Sequence, residues 1–147
     1  MIISESYIRG CNFPIEDQVT DSKILGAIEE AELLWFKDMI GNANYVYLIN
    51  LTTSPILDGG MTTDTDGNQV FVCGFKKALA YIVFAAMIRN NMVSTTFGTV
   101  QKKDDYSENR DPFTIGKYYY SIGVGFVYEM CKILGWTVNK TSNYYSE

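Results

Sequence analysis

Histidine is absent from this 147-residue chain. With it go the Ser-His-Asp and Cys-His nucleophile systems, the usual general base near neutral pH and the commonest transition-metal ligand. Cysteine is scarce: Cys11, Cys73 and Cys131 are widely spaced, with no C-x-x-C pair. An odd, scattered set with no histidine to complete a zinc site reads as buried reduced thiols. No apolar run reaches the roughly 18 residues that suggest a membrane span. The opening "MIISESYIRG" lacks the basic and apolar regions of a signal peptide, so an intracellular product with no membrane partner is expected. Positive charge is short as well. Twelve Lys plus Arg stand against 17 Asp plus Glu, for a net charge of -5, which argues against a reader of DNA.

What is present is the material of one globular domain spanning 1–147: 47% hydrophobic and 20% charged residues, enough to build a core. Aromatics are plentiful, with 11 Tyr, 8 Phe and 2 Trp. Any single tyrosine is expected to pack in or near the core. The excess as a whole points to contact surface, because tyrosine joins a large apolar body to a polar tip.

The chain divides by hydrophobic period. Residues 1–19, interrupted by Pro14, carry no sustained pattern and read as an N-terminal arm. From Thr20 or Asp21, either of which can cap, Ile24, Ile28, Ala31, Trp35 and Met39 recur at helical spacing. Leu25, Leu33, Phe36 and Ile40 widen the apolar coverage, and Gly41 suits a helix end, so a first helix is expected over 21–40. "NANYVYLINLTT", 42–53, fits a short helix or a strand equally well. A second helix is expected over 74–91, the most apolar element and the centre of the domain. "MVSTTFGTVQKK" looks extended, since Val93, Thr95, Phe97 and Thr99 alternate. Asp111-Pro112 opens a third helix, 112–134, in which Gly116, Gly123 and Gly125 mark tight contacts or a kink. The polar residues 136–147 read as a tail that stays mobile unless a partner orders it. The fold class expected is mainly α: a three-helix core bundle with a short β-hairpin and an extended segment between helices.

The loudest local pattern is "LDGGMTTDTDGNQVFVCGF", where Asp58, Asp64 and Asp66 lie among glycines. A calcium EF-hand loop needs oxygen ligands at positions 1, 3 and 5, glycine at 6 and glutamate at 12. With Gly67 as that glycine, Asp64 and Asp66 are in place, but the first position is Thr62 and the last is Cys73. Asp64 and Asp66 therefore remain a weak metal alternative, and a carboxylate-dependent hydrolase using all three aspartates lacks the histidine and glutamate it would need. The turn reading accounts for more residues: strands Thr62–Thr65 and Asn68–Val72, joined by Asp66-Gly67 as a type I′ hairpin turn. No phosphate-cradling glycine motif is present, and no cofactor is expected. Lys102, Lys103 and Arg110 form the one basic cluster. With Asp104, Asp105 and Glu108 directly beside them, the lysines suit the end of an exposed strand better than a nucleic-acid face.

Three passages together resemble the head-tail connector, or adaptor, proteins of tailed bacteriophages, in particular those of crAss-like phages and other phages of Bacteroides-type hosts. They are "VTDSKILGAIEEAELLWFKDMIG", "LDGGMTTDTDGNQVFVCGFKKALAYIVFAAMIRNN" and "VSTTFGTVQKKDDYSE", about half the chain. The resemblance implies a non-enzymatic virion protein made in the host cytoplasm, about twelve copies of which form a ring. The ring would bind below the portal protein, dock the next tail or ring protein, and let genomic DNA pass without sequence-specific binding. Over-wide apolar helices and abundant tyrosine suit such burial between copies. Val93, Thr95, Phe97, Val100, Lys102 and Lys103 are the expected interface, pairing with a strand of the next copy. The rival reading is a small helical adaptor or regulatory module acting as monomer or dimer.

Overall fold

The computed structural model describes residues 1–16, 18–93 and 112–145. Along the chain lie α1 (Glu5–Gly10), α2 (Asp21–Glu29), a π-helical stretch (Glu30–Phe36), α3 (Lys37–Ile40), α4 (Asn42–Ile49), α5 (Pro55–Asp58), β1 (Gly60–Thr63), β2 (Gln69–Val72), α6 (Phe75–Arg89) and α7 (Pro112–Leu134). The described chain is mainly helical with one short antiparallel hairpin, as the sequence predicts.

The most apolar stretch becomes the centre. Apart from Tyr81, every residue of α6 from Ala78 to Ile88 is buried, so this helix must be covered on all sides. Its most extensive contact is with α7. Phe75, at the start of α6, stacks on Trp136 just past α7, while Phe84 meets Tyr119 edge-on near the start of α7. The two helices therefore run antiparallel. A Cβ at Gly123 of α7 would lie 2.6 Å from Ile82 Cγ1 and 2.9 Å from the Ala78 carbonyl oxygen. Gly116 faces the Tyr145 ring, and Gly125 faces open space. Two of the three helix glycines thus mark close contact, as their low propensity suggested.

The first helix spans 21–40 as expected, capped by the Thr20 side chain, but its middle is wound wider. After the single buried Ile24, its buried residues fall in pairs four apart: Ala27 and Ile28, Ala31 and Glu32, Trp35 and Phe36, Met39 and Ile40. On a regular α-helix a four-residue repeat drifts by about 40° each time. The π-turns offset that drift and keep all four pairs on the core. The ambiguous 42–53 segment resolves as α4, with Tyr45 and Leu48 inward at helical spacing.

Both chain ends depart from the sequence reading. The N-terminal arm contains α1, capped by Ser4, and buries Ile3 and Ile8. Phe13 stacks on Phe84 with ring centroids 4.2 Å apart, and Arg9 Nε meets Asp21 Oδ1 at 2.9 Å. Six helical residues are too few to print a period, which is why the arm looked unstructured. The tail through Tyr145 makes specific contacts with the helices. Asn139 donates its backbone N–H to the Met39 carbonyl at 2.8 Å, and Asn143 Nδ2 donates to the Tyr120 hydroxyl at 2.7 Å. Tyr145 is buried and donates its hydroxyl to the Ala85 carbonyl at 2.5 Å. Asn139 satisfies carbonyls at the end of α3, so low hydropathy here did not mean absence of structure. Val93 forms an antiparallel bridge with Ile15. Thr95, Phe97, Val100, Lys102, Lys103, Arg110 and the expected helix cap Asp111 lie outside the described residues.

Candidate functional site

The hairpin is the element on which chemistry, geometry and exposure converge. Its register pairs Gly60 with Val72, Met61 with Phe71, Thr62 with Val70 and Thr63 with Gln69. Side chains alternate across a strand, so Val70 and Val72 turn towards the core while Met61 and Phe71 turn away. Phe71 is 75% exposed and Met61 is 54% exposed, directly opposite each other. Asp64 N–H donates to the Asn68 carbonyl at 2.9 Å, which fixes the phase of the ladder. Counting back by the antiparallel alternation, Met61 and Phe71 are a non-hydrogen-bonded pair, with neighbouring side chains and outward-pointing backbone groups. The same two residues present an apolar face and, among the described residues, a strand edge with no further strand beside it.

The turn differs in type from the sequence reading. Gly67 N–H donates to the Asp64 carbonyl at 3.2 Å, and the only positive φ in the turn is at Gly67, 83°. This is a three-residue loop, a type I turn closed by a left-handed glycine, and not a two-residue type I′ turn. The first strand accordingly lies two residues earlier than expected, 60–63, and the second starts one residue later, 69–72. Asp66 and Gly67 are both turn residues, as expected. Asp64 explains the choice: its Oδ1 accepts the N–H of Asp66 at 2.9 Å and of Asn68 at 2.8 Å, holding the longer loop. A carboxylate used in this way serves the backbone. Asp58, the third aspartate of the pattern, is engaged elsewhere, at 2.9 Å from Lys76 Nζ of α6, and that ammonium holds its carboxyl below the usual range. Among the described residues no group of three or more His, Cys, Asp or Glu side chains converges to hold a metal ion.

The base of the hairpin is held by backbone meeting backbone. A Cβ on Gly74 would lie 2.5 Å from both Gly59 N and the Leu57 carbonyl oxygen, and one on Gly59 would lie 2.9 Å from the Cys73 carbonyl oxygen. The exposed Met61–Phe71 pair therefore stands on a fixed mount and loses little freedom on contact. Other large apolar side chains are exposed on separate elements: Leu34 on the π-helical stretch, Val46 and Ile49 on α4, Tyr118 and Tyr128 on α7.

A second feature, invisible to the sequence reading, is Glu32. It is fully buried on the π-helical stretch, where its Oε1 accepts the Ile2 N–H at 2.6 Å and the Tyr45 hydroxyl at 2.7 Å. It ties the N-terminal arm, the first helix and α4 together. Its polar type hid it inside an otherwise apolar period. Burial, then the bond to Glu32, holds the Tyr45 hydroxyl well above its ordinary pKa, and burial does the same for Tyr145. The folded state thus binds these protons more tightly than the unfolded chain. Their contribution is intact below about pH 10 and is lost as pH rises past it, by up to ~1.4 kcal/mol per unit for each tyrosine. Urea unfolding at pH 7 and pH 11 should show this fall, and Tyr45→Phe should remove the Tyr45 share of it while costing about 2 kcal/mol at pH 7.

Cys131 is buried and its thiol is pushed up to about 11, and burial raises Cys11 and Cys73 too. Cys11 and Cys73 are half-buried, not buried as the sequence suggested. No helix among the described residues is long and apolar enough to cross a membrane. No protein-family model, curated protein or solved structure matches the chain.

Proposed function

We propose that this chain is a structural subunit of a head-tail connector ring in a tailed bacteriophage, binding below the portal protein, continuing the DNA channel and docking the next tail component. The observation that carries the reading is the exposed apolar surface left after a complete core has formed. Phe71 and Met61 on the hairpin, Leu34 on the first helix and Tyr118 on α7 belong to different elements. Distinct patches on one molecule suit a heterologous contact, in which one patch meets a different one on the next copy and the series closes into a ring. The sequence resemblance supplies the class of ring. The net charge of -5 suits a channel that DNA slides through without adhering.

Particle mass of the purified protein and electron microscopy of virions test the proposal. Discrete multimers of ring size and a position at the head-tail junction are expected. A monomer at every concentration, absent from virions, would overturn it. Phe97→Asp, in the expected interface, should lower assembly and leave helical content unchanged by circular dichroism.

A further inference from the structure

The outer edge of β2 has no extensive contact with any described element apart from β1 and, in sequence, leads straight to α6. Its outward backbone groups at Gln69 and Phe71 find no partner among the described backbone bonds. An open edge beside a 75% exposed phenylalanine is a template for another strand.

We propose that this edge accepts residues 94–103 of a second copy as a third, antiparallel strand. Three observations point to that occupant. First, the connection from α6 to α7 is longer than it needs to be. Both helix ends lie at one end of an antiparallel pair, a gap that 2–8 residues usually bridge, yet residues 90–111 intervene. Second, the sequences match in one register. With Phe97 beside Phe71, Gly98 falls beside the core-facing Val70, where no volume is required, and Lys102 falls beside Asp66. Apolar meets apolar on the outer face, and the lysines reach the acidic turn of Asp64 and Asp66. Phe71 directs both its backbone groups outward, so in this register it exchanges two bonds with Phe97.

Third, the chain cannot do this to itself. The hairpin sits at the N-terminal end of α6: a Cβ on Gly135, beside the Trp136 that stacks on Phe75, would lie 3.0 Å from Thr65 in the turn. Val93 lies at the other end, where Met92 N–H bonds the Met87 carbonyl. A helix of 15 residues is roughly 22 Å long, whereas the four residues from Val93 to Phe97 reach about 14 Å. Donor and acceptor at opposite ends of one molecule give a head-to-tail contact between copies. That the occupant belongs to the next copy rests on the ring reading, while the addition of a strand does not.

A fluorescently labelled peptide of residues 93–103, titrated into the full-length protein, tests strand addition directly, with particle mass recorded on the same samples. Saturable binding is expected, weakened at least tenfold by Phe71→Asp and less strongly by Asp66→Asn or by added salt. Phe71 is largely exposed, so the melting temperature of Phe71→Asp should match the parent. Peptide that does not bind, or that binds Phe71→Asp as tightly as the parent, overturns the inference. If rings form in that case, the ring reading stands on another contact. Peptide bound to an obligate monomer keeps strand addition and removes the ring.

Discussion

Gly74→Ala should destabilise the fold by about 4 kcal/mol, as two separate costs fall on one residue. Gly74 has φ +86°, where an L side chain is strained by about 1–3 kcal/mol. The added methyl would also lie 2.5 Å from Gly59 N and from the Leu57 carbonyl oxygen. Both neighbours are backbone atoms, so relief requires the α5–β1 corner and the β2–α6 corner to separate, a further overpacking cost of about 1–3 kcal/mol. Gly67→Ala isolates the first cost, since its φ is also positive but nothing lies within 4 Å, and about 1–2 kcal/mol is expected. Urea unfolding of the two variants measures the difference. Equal losses would mean that the corners are free to part, and the hairpin would then not be a fixed mount.

Tyr145→Ala should cost about 4 kcal/mol, the loss typical of a large aromatic leaving a packed site. Its ring lies against Trp35, Tyr120 and Phe113, and its hydroxyl is bonded to the Ala85 carbonyl. Gly116→Ala should be damaging for the same reason from the other side, because the new methyl would occupy the space of the Tyr145 ring. Combining the two is the sharper experiment. With the ring gone, the three atoms nearest the new methyl go with it, and the alanine gains about 1 kcal/mol of helix propensity. The double variant should therefore be no worse than Tyr145→Ala alone, an interaction energy that a double-mutant cycle reads directly. Additive losses would show that the residue 116 effect does not pass through Tyr145.

How far the sequence could be read follows from the length of each signal. The α6 and α7 helices were legible because long apolar periods and the Asp-Pro start are local and redundant. The 21–40 helix was legible in extent but not in winding, since the four-residue pairing makes sense only with the core on one side. The hairpin was found from Asp66-Gly67. Its turn type was not, because Asp64 chooses the longer loop by bonding two amides beyond itself. Glu32 was missed because a buried carboxylate is justified only by the Ile2 amide and the Tyr45 hydroxyl, distant in the chain. Of the candidate surface, Phe71 had a readable signal, an aromatic on the outward parity of "QVFV" between two inward valines. The tail had none, as its anchors act across sequence separations of 60 and 101 residues.

Those separations also bear on the order in which these elements come together. The groove between the C-terminal turns of α6 and the N-terminal turns of α7 is closed by Tyr145, which follows both helices in the chain. During synthesis, both helices can emerge and pair while the slot beside Gly116 stands empty. The hydrophobic core is sealed only once Tyr145 has cleared the ribosome, so nascent chains released early should remain soft at this one place and exchange its amides quickly.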